Sequence, residues 1–357
     1  MTKLRIGIIG AGGIAQGRHI PTLIKLHDQV SIEALYDLNP VTSAEAAGKF
    51  GIPVIAETYQ EVFAHVDAVV IATPNKYHAE IAIAALNAGV HVLCEKPMAL
   101  SAAEGEAMME AAERSGKVLS IGFHYRFMKE AIAAKKAMLA GDVGNPLVVR
   151  IKALRRRRVP GWGVFTNKDL QGGGSLIDYG CHLLDLAVWL IGNPEVAEVT
   201  GTAYNTLSKI PGQVNQWGNF DPSTFNVDDH VTGYVKFENG VSLLLETSWS
   251  NNIKENVVEE LSISGDMGGL EVFPFSLNYA KNGMLFNSEA AWIPGEDDPS
   301  LPQAQNFIDA CLGLAEQIVK PEEALQVTRI IESLYESSET GKSINFFLEN
   351  RKGEAAL

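Results

Sequence analysis

Leu4-Arg5-Ile6-Gly7-Ile8-Ile9-Gly10-Ala11-Gly12-Gly13-Ile14-Ala15 is the stretch that decides the fold. Its first half is a short, β-rich apolar run. Its second half reads G-x-G-x-x-A, and a helix-like segment, residues 14–26, follows with Pro21 inside it. Between a strand and a helix, each small residue has a use. Gly10 permits the tight turn, Gly12 lets backbone N–H groups approach a pyrophosphate, and Ala15 keeps the helix close to the sheet. The helix start then favours anionic phosphates. Gly10, Gly12, Gly13 and Ile14 are therefore expected to hold a dinucleotide.

The alternation continues outward. Residues 31–36, 68–73, 90–94 and 118–122 read as strands, and 43–50, 78–88 and 102–115 as helices. Unbroken apolar strands between helices predict a parallel sheet covered on both faces. Asp37 ends the second strand, 27 residues after Gly10. A carboxylate there can accept hydrogen bonds from ribose hydroxyls and repels a 2′-phosphate. Leu38, Asn39 and Pro40 bring no cation, so NAD is expected over NADP. The competing reading is that Asp37 only caps a turn and that a distant arginine binds a phosphate. Two further strands end in Ala72-Thr73-Pro74-Asn75 and Cys94-Glu95-Lys96-Pro97, at the carboxyl ends where open α/β sheets bind ligands.

The whole chain of 357 residues has a soft prior of two domains at about 150 residues each. With 29 Lys+Arg against 43 Asp+Glu, its net charge of −14 gives no attraction to nucleic acid or anionic lipid. Three scattered cysteines, Cys94, Cys181 and Cys311, suggest a reducing compartment rather than a disulfide framework. No apolar run reaches the ~18 residues of a membrane span. Four glycines break the apolar N-terminal run, and no clear cleavage pattern follows it. A mature cytoplasmic protein is expected. No clustered Cys/His or H-E-x-x-H set occurs, so no metal is expected.

Beyond about residue 125 the pattern changes. A helix over 128–139 leads to a strand over 147–158, and an apolar helix is expected over 175–191. Strands over 196–205, 227–237, 241–249, 257–264 and 270–275 follow, with Asn239-Gly240 as a hairpin turn. Sequential strands with short turns predict an antiparallel sheet. A final helix begins at Pro321, and 208–226 is a long polar loop.

Taken in order, Gly10-x-Gly12-Gly13-Ile14-Ala15, Ala72-Thr73-Pro74-Asn75 with His78, Glu95-Lys96-Pro97, and Gly172-Gly173-Gly174 followed by Tyr179-Gly180-x-His182-x2-Asp185 resemble the Gfo/Idh/MocA oxidoreductases. The resemblance covers nearly the whole chain. It implies an α/β fold: a Rossmann doubly wound sheet over residues 1–124, then a substrate-binding and oligomerisation domain with an open, largely antiparallel sheet over 125–357. It implies NAD(P)-linked hydride transfer at a hydroxyl-bearing carbon of a sugar, sugar derivative or cyclitol. The family's catalytic lysine, aspartate and histidine fall on Lys96, Asp178 and His182, and Thr73, Pro74, Asn75, His78, Glu95 and Lys96 join the cofactor set. It also implies a homodimer or homotetramer. Two other readings belong to the same fold: a non-catalytic nucleotide-sensing regulator and an NAD-dependent glycosidase.

On the helix 175–191, Asp178, His182, Asp185 and Trp189 form one ionisable stripe between two apolar ones. A helix this apolar is buried, so the stripe needs partners or a cavity. Asp178 beside His182 can orient the imidazole. Against this, Ser175-Leu176-Ile177-Asp178 also fits a capping box, in which Asp178 is structural. In the hydride-transfer reading His182 is the base, Lys96 stabilises the alkoxide, and reversed roles stay open. Arg155-Arg156-Arg157-Arg158 alternates across a strand, so one pair, Arg157 included, can face a substrate while a solvated basic edge is the competing reading. Arg126 and Trp162 complete the expected substrate contacts; Trp162, placed near the cavity by the resemblance, can stack on a sugar ring or equally serve as a packing residue. His124, Tyr125 and Tyr179 are further pocket candidates.

Overall fold

Short apolar strands set between helices assemble as the alternation dictates. The computed structural model describes residues 3–346. In its first sheet β1 (Leu4–Ile9), β2 (Val30–Tyr36), β3 (Val54–Ile55), β4 (Ala68–Ile71), β5 (His91–Cys94) and β6 (Leu119–Ile121) lie in the order β3-β2-β1-β4-β5-β6. Every neighbouring pair is parallel. The order reverses between β1 and β4, which puts the ends of these two strands at the topological switch point. All four residues of β4 are buried, as a strand covered on both faces requires.

The run 14–26 forms a helix of two kinds. Ala15–His19 is π-helical and Ile20–Lys25 is α-helical, with Pro21 in the first turn of the latter. Proline has no N–H and crowds the carbonyl four residues back, and the wider π turn accommodates it.

The second sheet contains β7 (Pro146–Arg155), β8 (Val196–Tyr204), β9 (His230–Phe237), β10 (Ser242–Ser248), β11 (Val257–Gly265), β12 (Gly268–Glu271), β13 (Ser276–Lys281), β14 (Met284–Glu289) and β15 (Ile344–Asn345). Their order is β14-β13-β12-β11-β7-β10-β9-β8-β15. The pairing is antiparallel except between β7 and β10. Asn239-Gly240 lies in the β9–β10 turn, with Gly240 at φ +88°. The strands β13 and β14 and the helix Ser300–Cys311 are additions to the sequence reading, and β12 is shorter than expected.

β7 ends at Arg155, three residues before the expected end. Arg157 takes a left-handed φ of +54°, and the backbone leaves the sheet. Strand alternation therefore does not extend through the four arginines.

The helix Cys181–Leu190 buries every residue except Trp189. At its head, a Cβ on Gly180 would lie 3.0 Å from the Thr247 side chain, so glycine allows the close approach to β10.

By contacts, one unit takes the described residues up to Phe127 together with Glu296–Thr328. The other takes Met128–Gly295 and the described residues from Arg329 onward. The returning segment belongs to the first unit for a packing reason. Ala304, Phe307 and Ile308 join Ile6, Ile8, Ile20 and Leu35 in one apolar cluster. Arg18 Nε also donates to Ser300 Oγ at 2.8 Å. A division drawn along the chain at 124/125 leaves this segment with the second unit. Among the described residues, no helix is long and apolar enough to cross a membrane.

Candidate active site

The glycine turn leaves β1 at the switch point. Gly10 has φ +92°, and a Cβ there would sit 2.6 Å from the Ala72 carbonyl oxygen. Only glycine satisfies both constraints. Gly12 and Gly13 differ, because an added Cβ would meet no atom within 4 Å. Ile14 follows on the surface, 42% exposed. The turn opens on a cavity of about 550 Å³ lined by Gly10, Gly12, Asp37, Thr73, Pro74 and Tyr77, among others. That volume suits a cofactor-sized ligand.

Asp37 reaches this cavity from the end of β2. Its Oδ2 accepts the Ala11 N–H at 2.7 Å and its Oδ1 accepts the Asn39 N–H at 2.9 Å. The carboxylate thus fixes the glycine turn and also lines the space beside it. Each oxygen has a second lone pair, so holding the turn leaves the carboxylate able to accept further hydrogen bonds. Thr73 Oγ1 is buried without a hydrogen-bond partner among the described residues. The cradle therefore fits a dinucleotide: bare glycines for a pyrophosphate, a carboxylate for ribose hydroxyls, and Leu38, Tyr59, Tyr77 and Ile81 as an apolar wall.

Three expected cofactor residues stand behind the cavity wall. Asn75 is 9% exposed at the head of a short 3₁₀ turn. His78 is fully buried, with Nδ1 2.8 Å from the Pro97 carbonyl and Nε2 3.0 Å from the Thr73 carbonyl. Burial pushes its pKa down, opposed by those two carbonyls. His78 ties the two ligand-side loops together and is not part of the cavity lining. Glu95 is likewise buried, its Oε1 2.6 Å from His19 Nε2 and its Oε2 accepting the Lys96 N–H at 3.2 Å. Burial raises its pKa, but His19, Arg18 and Lys96 outweigh burial and hold it well below the usual carboxylate range. Glu95 pins the backbone of half-buried Lys96, and no sequence feature pointed to His19 as its partner.

Arg126 requires a correction. It is 0% exposed, and its guanidinium donates to the Ile318 carbonyl at 3.1 Å and to the Glu323 carboxylate. A buried cation needs such a partner. This fixes Arg126 as an internal ion pair of the first unit and removes it from the substrate contacts.

In the second unit, the helix carrying Asp178 and His182 begins with a π segment, Leu176–Gly180. The capping-box reading of Asp178 fails here. Ser175 is itself helical, at φ −60° and ψ −35°, and makes no side-chain cap. Asp228 does that work from outside the helix. It accepts from Gly174 N–H (2.7 Å), Leu176 N–H (3.0 Å), Ser175 Oγ (2.8 Å) and Tyr335 Oη (2.7 Å). Asp178 is therefore not needed as the cap. Its Oδ2 accepts the indole N–H of Trp249 at 3.2 Å and faces Arg155 at 3.4 Å. His182 is buried at 7% exposure, one helical turn along, and Asp185 is fully buried.

The arginine run divides its labour differently from the expectation. Arg155 meets Asp178, with its guanidinium carbon 4.0 Å from the centre of the Tyr179 ring and 4.6 Å from that of Trp217. Arg157 donates to Asn252 at 2.6 Å, Arg156 to the Lys254 carbonyl, and Arg158 to Gln216. Of the pair expected on one face, Arg155 meets Asp178 and Arg157 does not. The reason is the end of β7 at Arg155: once the backbone turns at Arg157, the two residues no longer share a face. Trp162 is 55% exposed and lies 5.8 Å from the Trp217 ring. Burial pushes the Tyr179 phenol far up, together with Glu259, to which it donates at 2.7 Å.

A parallel sheet in the order 3-2-1-4-5-6 with a bare glycine cradle at its switch point defines a dinucleotide-binding α/β protein. Residues 4–123 match the oxidoreductase family with an NAD-binding Rossmann fold, and residues 131–271 match the GFO/IDH/MocA C-terminal domain. The chain belongs to the Gfo/Idh/MocA oxidoreductase family. It is 35% identical over 347 residues to a D-glucoside 3-dehydrogenase of Escherichia coli K12, covering 96% of this chain and 97% of that one. It is 31% identical over 252 residues to a glucose-6-phosphate 3-dehydrogenase of Bacillus subtilis, covering 68% and 67%. Among solved structures, an aldose-aldose oxidoreductase from Caulobacter crescentus complexed with glycerol aligns with a TM-score of 0.81 at 27% identity, covering 97% of this chain and 100% of that one.

Proposed function

We propose that this NAD(P)-dependent oxidoreductase moves a hydride between the nicotinamide and a ring carbon of a glucose-type sugar, carbon 3 by analogy with the two 3-dehydrogenases it resembles. The observation that carries the reading is the glycine turn, bare at Gly12, that lines one cavity with Asp37. When bound, the nicotinamide accepts or returns the hydride. His182 takes the hydroxyl proton in oxidation and returns it in reduction. Lys96, its backbone pinned by Glu95, supplies positive charge to the developing alkoxide. Asp178, with one oxygen held by Trp249 and Arg155, accepts a sugar hydroxyl and orients the ring. NAD is the preferred partner, because Asp37 meets a 2′-phosphate with like charge and neither Leu38 nor Asn39 offsets it.

The chain works as a homodimer or homotetramer through the open face of the second sheet, where Tyr234 and Leu244 stand 40% and 46% exposed opposite one another. Free Cys94, Cys181 and Cys311 fit the reducing cytoplasm. The test is a panel of glucosides, aldoses, sugar acids and cyclitols, scored for NADH and NADPH formation. Oxidation of glucosides with NAD ahead of NADP is expected. Cofactor binding with no turnover on any member would restore the regulator reading, and equal use of the two cofactors would refute the role given to Asp37.

A further inference from the structure

The groups around Asp178 form a line that extends beyond what a single sugar ring uses. From the Asp178 carboxylate the line passes to the Arg155 guanidinium at 3.4 Å. It continues to the Trp217 ring at 4.6 Å and from there to the Trp162 ring at 5.8 Å, with the two indoles inclined by 40°. It runs from buried to exposed: Asp178 and Arg155 side chains are 17% and 15% exposed, and Trp162 is 55% exposed.

The two indoles stand on backbone that is fastened in place. Gly161 N–H donates to the Trp217 carbonyl at 2.9 Å, and the Asn215 side chain both donates to the Val159 carbonyl and accepts its N–H, at 2.8 and 2.9 Å. Gln216 N–H donates to the Arg157 carbonyl at 2.8 Å. At Gly161 a Cβ would lie 2.6 Å from the Gly218 backbone, so the two segments are as close as they can come. The long loop after β8 is thus zipped to the chain leaving β7, and the zip holds Trp217 beside Trp162. Such an arrangement costs ordering entropy and leaves the Trp162 ring exposed beside half-buried Trp217, which folding alone does not favour.

We propose that Trp217 and Trp162 form a subsite for a second ring, the sugar or aromatic group glycosidically joined to the ring that is oxidised. The proposal rests on Asp178 holding the reacting ring and names the substrate class as glycosides in preference to free monosaccharides. A ring whose hydroxyl meets Asp178 projects its glycosidic substituent along the line toward the indoles. There the apolar C–H face of a pyranose, or an aryl group, stacks on indole. Arg155, clamped between Tyr179 and Trp217, keeps its edge donors for the hydroxyls at the junction.

The experiment compares phenyl β-D-glucoside with methyl β-D-glucoside at saturating NAD, in the unmodified protein, Trp162→Ala, Trp217→Ala and Trp217→Phe. Because Trp162 is exposed, its removal leaves the fold intact. The expected result is a roughly three- to tenfold loss of kcat/KM per ring removed on the phenyl glucoside, with little change on the methyl glucoside and in NAD affinity. Trp217→Phe should retain most of the preference. Equal losses on both glucosides, or no loss, would overturn the subsite. If the unmodified protein oxidises neither glucoside, the reading of the reaction fails. The subsite is then judged by calorimetric binding of phenyl β-D-glucoside to the NAD-saturated protein, where weakening in the alanine variants supports it and unchanged affinity refutes it.

Discussion

Two helices in this molecule begin alike and end up with opposite uses. Each follows a glycine-rich turn, Gly10-Ala11-Gly12-Gly13 in the first unit and Gly172-Gly173-Gly174 in the second, and each opens with five π-helical residues. At the first, positions beside Gly12 and Gly13 are bare, and the helix start has no side-chain cap. At the second, Asp228 fills the same electrostatic role from inside the protein, and Gly173 and Gly174 are tightly covered by Tyr335 and by the Asp228 carbonyl. A helix start carries partial positive charge wherever it occurs. What distinguishes a ligand site from a structural joint is whether the chain supplies the anion itself. In the first unit the Asp37 carboxylate takes only the Ala11 N–H ahead of the helix, the helix start itself has no side-chain cap, and a pyrophosphate fits. In the second the chain does supply it: with the cap provided by Asp228, Asp178 is not needed there and faces Arg155 and Trp249.

The largest effect expected from breaking this arrangement is on turnover. His182→Ala removes the proposed proton acceptor and should lower kcat by roughly 10²–10⁴-fold, with NAD affinity and unfolding temperature nearly unchanged. Loss of NAD binding in this variant would place His182 with the cofactor instead.

Asp228→Ala attacks the second helix start. It orphans buried donors at Gly174, Leu176, Ser175 and Tyr335, each costing about 1–3 kcal/mol when left unmet. A fall of many degrees in unfolding temperature is expected, or failure to fold. A change within a degree or two would mean that water replaces the carboxylate readily and that the two helix starts are not distinguished by their anions.

Gly12→Ala sharpens the contrast from the other side. Since the added methyl meets nothing, calorimetry should show stability held to within roughly 1 kcal/mol, the helix-start cost of such a change being small. NAD affinity should fall by at least roughly tenfold as the methyl intrudes on the pyrophosphate. Unchanged affinity would remove the cofactor from this turn.

A smaller effect is pH-dependent stability within the first unit. Burial, with Arg18 adding to it, pushes His124 down to about 3, and burial with Lys117 pushes His91 down to about 4, from an ordinary 6.5. His124 Nδ1 sits 3.0 Å from Arg18 Nη1, a geometry that needs the neutral ring. Unfolded, both rings protonate near 6.5, whereas folded they resist, so stability is whole above that pH and falls as pH drops through 6.5 toward 4. His124→Asn should flatten part of that slope in thermal unfolding. An identical slope would assign the acid sensitivity elsewhere.

The same comparison explains what the sequence made legible. The first site is local: glycine spacing, a strand before it and a helix after it lie within a dozen residues, and Asp37 closes the next strand. The second site is assembled across long intervals. Asp228 lies 54 residues from Gly174, Trp249 lies 71 from Asp178, and Trp217 reaches Arg155 through a loop with no regular pattern. Ser175-x-x-Asp178 carries a capping signature, yet the cap comes from elsewhere, because Ser175 is already helical. Strand parity grouped Arg157 with Arg155 on one face, but β7 ends at Arg155 and Arg157 turns to Asn252 instead. Arg126 was expected among the substrate contacts, and its burial against Glu323 depends on a segment that returns almost 200 residues later. Periodicity and motif spacing carry short-range information, and these contacts hold none of it.

Hydride transfer from sugar carbon to nicotinamide is the claim on which everything else rests, and isotopic labelling tests it directly. A glucoside carrying deuterium at the carbon proposed to be oxidised is turned over with NAD, and the recovered reduced nicotinamide is weighed by mass spectrometry. The account predicts one deuterium in each reduced nicotinamide and slower turnover than with the unlabelled sugar. Deuterium remaining in the sugar product or appearing in water, with no net reduced nicotinamide, would contradict it and favour a glycosidase that uses the cofactor transiently.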